Sequence, residues 1–136
     1  MAVQIVEVSR PEEIAEAFTA IERGRGEALL VRPDPHVLEP HAAQVVALAL
    51  THRLPAIYPW RLYVQAGGLM SYATSLPDIH RRSATYIDKI LKGAKPAELP
   101  IEAPMKFELV INLKTAEALG ITLPPFILFQ ADAVLR

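Results

Sequence analysis

The segment Leu54-Pro-Ala-Ile-Tyr-Pro-Trp-Arg-Leu-Tyr-Val-Gln-Ala-Gly-Gly-Leu-Met-Ser-Tyr72 decides the fold. It reads as two short buried strands, Ala56 to Tyr58 and Leu69 to Tyr72, separated by a turn at Gly67-Gly68. Short, continuously apolar strands bounded by Gly and Pro are those of a parallel sheet covered on its faces. In an open α/β sheet, ligands bind at the carboxyl ends of the strands. Tyr58, Trp60, Ser71 and Tyr72 fall at those ends and are the first candidates for a site.

Upstream, Val3, Ile5, Val6 and Val8 predict a strand, and Ser9 with Glu12 three residues later predicts a capping box with Pro11 in the first turn. Ile14, Ala17, Phe18 and Ile21 then form one buried helical stripe, which Gly24 and Gly26 end. Ala28 to Val31 is a further apolar strand closed by Pro33 and Pro35, completing a βαβ unit. A helix apolar on more than one side is expected over 37–53.

Downstream, Ile79, Ser83, Tyr86, Ile87, Ile90 and Leu91 line one face of a helix over 77–93 ending at Gly93, and Lys95 to Pro104 reads as an extended connector. Phe107 to Leu113 alternates as a half-buried strand with Phe107, Leu109, Ile111 and Leu113 inward. Thr115 to Leu119 is a helix stopped by Gly120, and a last helix follows Pro124-Pro125. The resulting fold class is a three-layer α/β sandwich with a mainly parallel sheet, in one domain spanning residues 1–136.

Composition bounds the function. A chain of 136 residues with 51% hydrophobic and 21% charged residues has a core of ordinary extent. Fourteen basic residues against fifteen acidic ones, with no basic run beyond Arg81-Arg82, give no footprint for nucleic acid or anionic lipid. The two arginines read as a solvated helix face. Zero cysteines exclude disulfides, thiolate catalysis and Cys-based zinc sites. The amino terminus lacks the basic and apolar regions of a secretory signal, and Ala42 to Leu50, the longest mostly apolar run, is well short of the roughly 20 residues that span a bilayer.

Catalytic chemistry is sparse. His36, His41, His52 and His80 lack metal-ligand spacing, and no nucleophile elbow, phosphate-cradling loop or dinucleotide fingerprint is present. No enzyme, metal or cofactor is expected. Asp34, just past the strand Ala28 to Val31, either pairs with an amino group at the crevice or caps the Asp-Pro turn that follows. Ser71 and Tyr72 offer a hydroxyl and an aromatic face to a small ligand, or pack at the sheet rim. Tyr58 and Trp60, separated by Pro59, contact a ligand or cover the domain's edge.

These strands, together with Ser75-Leu-Pro-Asp78, Tyr86-Ile-Asp-Lys-Ile-Leu-Lys-Gly-Ala-Lys-Pro-Ala-Glu-Leu-Pro100 and Lys106-Phe-Glu-Leu-Val-Ile-Asn-Leu-Lys-Thr-Ala-Glu-Ala-Leu-Gly120, resemble the substrate-binding proteins of ABC transporters, in the branch related to tryptophan and tyrosine binders. The resemblance covers nearly the whole chain and only the carboxyl-terminal half of such a protein. It implies one lobe of a type I periplasmic-binding-protein-like fold, a periplasmic location, and a small solute such as an amino acid held in a cleft between two lobes that close on it. It also implies docking on a membrane permease. Asp34, Gly67, Gly68, Ser71 and Tyr72 match the positions the family uses at the cleft.

Two departures stand out: Ala73 where relatives usually have Gly, which restricts a hinge-like crossing, and Phe126-Ile127-Leu128-Phe129 where relatives carry small or charged residues. In relatives the helix over 77–93 packs on the other lobe. Alone, the chain is therefore expected either to fold that helix onto its own sheet or to exchange it with a second copy as a homodimer. The alternative function is a truncated or orphan relative acting as a homo-oligomeric assembly or regulatory module without a transport role.

Overall fold

The computed structural model describes residues 2–104 and 106–136; Met1 and Met105 lie outside the described residues. The chain divides into two compact units, Met1–Tyr72 with Leu109–Arg136, and Ala73–Glu108. Its secondary structure comprises helices α1 (Ile14–Arg23), α2 (Ala42–Thr51), α3 (Arg61–Gln65), α4 (Leu76–Leu91), α5 (Leu113–Leu119) and α6 (Pro125–Gln130), with strands β1 (Leu29–Leu30), β2 (Ala56–Tyr58), β3 (Met70–Thr74), β4 (Phe107–Asn112) and β5 (Ala133–Leu135). The sheet is five-stranded in the order β1-β2-β3-β4-β5, mostly parallel and flanked by helices, as the sequence predicts for this fold class. No helix among the described residues is long and apolar enough to cross a membrane.

In the first unit, β1 pairs parallel with β2 (Leu29 with Ala56, Leu30 with Ile57) and β2 parallel with β3 (Ile57 with Met70, Tyr58 with Ser71). Strands β4 and β5 are likewise parallel. The Asn112 N–H donates to Leu69 O at 2.8 Å, which sets the carboxyl end of β4 beside the amino end of β3. The carboxyl ends of β1, β2 and β3 therefore share one edge, and that of β4 lies at the other.

The predicted stripe on α1 is realised: Ile14, Ala17 and Phe18 are buried and join Val45, Val46 and Ala49 of α2 in the main core. At the start of α1 it is Glu13, not Glu12, that reaches back, its carboxylate accepting from Ser9 N at 2.9 Å and from Arg10. Pro11–Glu13 forms a 3-10 turn, so α1 proper begins one residue after the reaching glutamate. At its end Arg25 takes the left-handed conformation (φ 56°) and Gly26 N closes onto Ile21 O at 2.9 Å. A Cβ on Gly26 would stand 2.6 Å from Ile21 Cγ2, so the close approach fixes glycine there.

Four predicted elements are corrected. Residues 2–8 run without strand pairing, and Val3 and Ile5 are exposed: the alternation suits a strand, but no neighbouring strand takes its hydrogen bonds. The expected βαβ unit is therefore β1-α2-β2. Leu30 on β1 is 69% exposed, because β1 is an edge strand and not one covered on both faces. The helix expected over 37–53 begins only at Ala42, after turns over 35–41. On β4 the alternation fails, since Val110 and Ile111 are both fully buried while Phe107 is exposed; a strand with neighbours on both sides and helices over it buries consecutive residues.

Two elements were not read from the sequence. The first is α3, between β2 and β3, which buries Tyr63 and Val64; the second is β5, which extends the sheet beyond β4. Asn112 caps α5 by accepting from Thr115 N at 3.2 Å, and the Thr115 hydroxyl donates to Gly67 O at 2.7 Å, tying α5 to the turn before β3. Gly120 ends α5 in the left-handed conformation, as its position implies.

In the second unit, α4 starts with Pro77 in its first turn and ends at Gly93 (φ 102°), with Ala94 N donating to Lys89 O at 3.0 Å. No residue of α4 is buried. The connector lies along the helix, held by the Arg82–Glu102 ion pair and by the Tyr86 hydroxyl, which donates to Pro100 O at 2.6 Å. Arg82 thus belongs to a tertiary contact and not to a solvated face alone. Helix and connector enclose a shallow apolar groove of about 430 Å³ lined by Ile79, Tyr86, Ile90, Leu99 and Ile101.

Candidate functional site at the carboxyl edge of the parallel strands

All five candidates lie in the first unit, and the parallel register brings their strands' ends to one edge. Their side chains then divide. Successive residues of a strand point to opposite faces, and Ser71 at 2% exposure faces the interior while Tyr72 at 55% faces solvent. Tyr58, aligned with Ser71, is buried with it, so their shared face is core.

Tyr58 stacks on Tyr63 of α3 with ring centroids 5.0 Å apart and planes inclined by 10°. Burial pushes both phenols up, Tyr63 to about 12, where the nearby Glu39 and Asp34 carboxylates add to the effect. Behind this pair sits Gly68: a Cβ there would meet Tyr58 Cε2 at 2.6 Å and Tyr63 O at 2.8 Å. Trp60 is the residue preceding α3, half-buried against the main core. Its indole N–H and the Tyr63 hydroxyl are buried without a hydrogen-bond partner among the described residues.

Asp34 is a turn cap. One carboxylate oxygen, Oδ1, accepts from Val37 N at 2.7 Å and from His36 N at 2.9 Å, leaving Oδ2 outside those two bonds. The bonds from Val37 and then His36 hold its carboxyl below the ordinary carboxylate range. A depressed folded-state pKa means that the unfolded chain takes up the proton first. The contribution to stability is therefore complete above the unfolded value of roughly 3.9 and is lost as pH falls through the lower folded value. In Asp34→Asn the side-chain oxygen can still accept, but the charge is gone. Its melting temperature is expected to fall less steeply than wild type between about pH 5 and pH 3. Identical acid profiles would rule out this role for Asp34.

Two of the four histidines have local or structural partners: His41 Nδ1 lies 2.7 Å from Val37 O, and His52 stacks on Phe18 and lies 3.3 Å from Glu22. Among the described residues no group of three or more potential metal ligands is present. The feature that the sequence reading missed at this edge is Tyr63. Trp60, Tyr63 and Val64 at i, i+3, i+4, followed by Gly67, carry a helical signal that the surrounding strand pattern masked.

The sequence matches the family described as ABC transporter substrate binding protein over residues 1–135. The chain belongs to that family. The family is one of substrate-binding proteins and not an enzyme class. Among solved structures, an ABC domain from Streptococcus pneumoniae in complex with L-Trp is 30% identical, with TM-score 0.88 over 99% of this chain and 45% of that one. A conserved domain protein from Vibrio cholerae shares the fold at 24% identity and TM-score 0.85, over 95% of this chain and 43% of that one. A substrate binding protein with adhesive properties from Clostridium difficile, in a ligand-free open structure, shares it at 17% identity and TM-score 0.66, over 95% of this chain and 42% of that one. The substrate-binding protein thus spans less than half the length of these solved relatives. A comparison with curated proteins gave no match.

Proposed function

We propose that this chain is the carboxyl-terminal half of the substrate-binding component of an ABC-type importer, working in the periplasm with a membrane permease. In this reading a small organic solute such as an amino acid binds at the edge formed by the carboxyl ends of β1, β2 and β3. The observation that supports the reading is Tyr72, exposed within β3 one residue past Ser71, which pairs with Tyr58 at the carboxyl end of β2; the Asp34 turn follows the carboxyl end of β1. The Asp34 carboxylate, ionised at neutral pH like any carboxyl of ordinary or lower pKa, offers a negative charge to an ammonium group. Tyr72 supplies an aromatic face. Ser71, Tyr58 and Trp60 support the edge from the core side in this conformation. The tryptophan bound by the 30%-identical relative gives the first ligand to try.

The second wall of the cleft comes from the amino-terminal half, and α4 docks on that half. Its unburied apolar side chains, Ile87, Ile90 and Leu91 foremost, favour this. A ligand held between two walls loses most of its buried surface when one is missing. Calorimetric titration of the chain with L-tryptophan and a panel of amino acids is expected to give marginal heats, abolished in Tyr72→Ala. Tight binding by this chain alone would overturn the two-walled reading.

The same exposed stripe on α4 favours a second reading, an assembly module in which two copies pair through that helix. Sedimentation of the chain at high concentration separates the two. A strict monomer removes the second reading.

A further inference from the structure

Tyr63 is fully buried in the middle of α3 and Trp60 is the residue before that helix, so the two stand three apart on one side of it. Each carries a donor, the phenol O–H and the indole N–H, that is buried without a hydrogen-bond partner among the described residues. An unsatisfied donor in the interior keeps its full desolvation cost, which is why nearly all buried polar groups are paired. A chain of this length ordinarily holds about five buried waters that serve such groups. The Asp34 turn packs over the same place. Val37, whose N–H donates to Asp34 Oδ1, is buried in the core cluster that contains Tyr63 and against which Trp60 packs. Asp34 and Glu39 both act electrostatically on the Tyr63 phenol.

We propose that one water molecule resides beneath the Asp34 turn, accepting from the Tyr63 hydroxyl and the Trp60 indole and donating to Asp34 Oδ2. The chemistry selects the occupant. Two donors require an acceptor, but an anion would face the Asp34 and Glu39 carboxylates, and a cation would face the two donor hydrogens. Water has two lone pairs for the donors and a hydrogen for the carboxylate. Tyr63 is thereby a positioning residue: through the water it fixes the Asp34 oxygen that the Val37 and His36 N–H groups leave unbonded. The consequence for solute binding rests on the reading of this edge as the solute site; the water itself does not.

A high-resolution crystal structure of the chain is expected to show one water within about 3.2 Å of both Tyr63 Oη and Trp60 Nε1. A dry site, or either group bonded directly to protein, overturns the proposal. Tyr63→Phe keeps the ring and removes the donor. Its melting temperature is expected to fall by roughly 2–6 °C, because the water loses a partner. An unchanged or higher value overturns the proposal, since an orphaned hydroxyl can be removed from the interior at no cost. By nuclear magnetic resonance, the Asp34 carboxyl is expected to titrate about half a pH unit higher in the variant, having lost a bond to its charged form. His36 and Glu39, the other titratable groups at the turn, are the same in both proteins. A purely packing role for Tyr63 would leave that titration unmoved, and identical titrations overturn the positioning role. None of these measurements uses a solute, so a failure to bind tryptophan defeats the function proposed above and leaves the water site standing.

Discussion

Ile111→Ala is expected to destabilise the chain by about 2–5 kcal/mol, and Val110→Ala by roughly 2 kcal/mol, in denaturant unfolding. Both side chains are fully buried although they are adjacent on β4 and point to opposite faces of the sheet. Each truncation removes methyl groups from a packed interior and leaves space that neighbours fill only in part. Strand alternation alone makes the opposite prediction for Val110, which would then face solvent at little cost. The comparison thus tests whether β4 is covered on both faces. Phe129→Ala is the control: at 91% exposure on α6 it should change stability by no more than about 0.5 kcal/mol. A near-neutral Val110→Ala would mean that one face of β4 is open.

Gly68→Ala is expected to cost about 1–3 kcal/mol, for the reason opposite to a cavity. The new methyl would lie 2.6 Å from Tyr58 Cε2 and 2.8 Å from Tyr63 O, the second a backbone atom fixed in α3. The ring cannot withdraw easily, because Tyr58 is stacked on Tyr63 in the core. The methyl must therefore push β3 away from α3 or break the stack. Near-ultraviolet circular dichroism, which reports the packing of aromatic rings, should change along with the melting temperature. Gly67→Ala is the informative contrast, since its cost comes from φ of 105° and not from contact, the nearest atom being 3.7 Å away. Unchanged aromatic signal and stability in Gly68→Ala would mean that strand and helix have room to separate.

The sequence was legible where a local pattern and its tertiary setting agree. The α1 stripe, β2 at Ala56–Tyr58, the α4 span and the Gly120 stop each follow from spacing or from a glycine's backbone freedom, and each is present. Reading failed where the setting overrules the pattern. Val3 to Val8 has strand alternation, but a strand also needs a neighbour to take its hydrogen bonds. On β4 a neighbour on each side and helical cover turned an amphipathic pattern into a buried one. The α3 helix escaped notice because five residues between two strands read as a loop.

The site was legible in part. The edge shared by the carboxyl ends of β1, β2 and β3 followed from parallel strands alone, but which side of each strand a candidate residue occupies required the register. Tyr58 with Ser71 and Tyr72 on the opposite face could not be sorted by position in the chain. The capping bonds of Asp34 and the burial of Tyr63 depend on turns over 35–41 and on α3, neither of which had a clear signal.

From Ala73 to Glu108 no described residue is buried, while α4 and its connector share the Arg82–Glu102 and Tyr86–Pro100 contacts. A stretch so constituted opens as one cooperative subunit with little free energy of its own, whereas the strands around Val110 come apart only with the whole. Proteases and solvent deuterons would therefore meet two thermodynamic regimes along one polypeptide, and a mutation in α4 that weakens the helix need leave the melting of the sheet untouched.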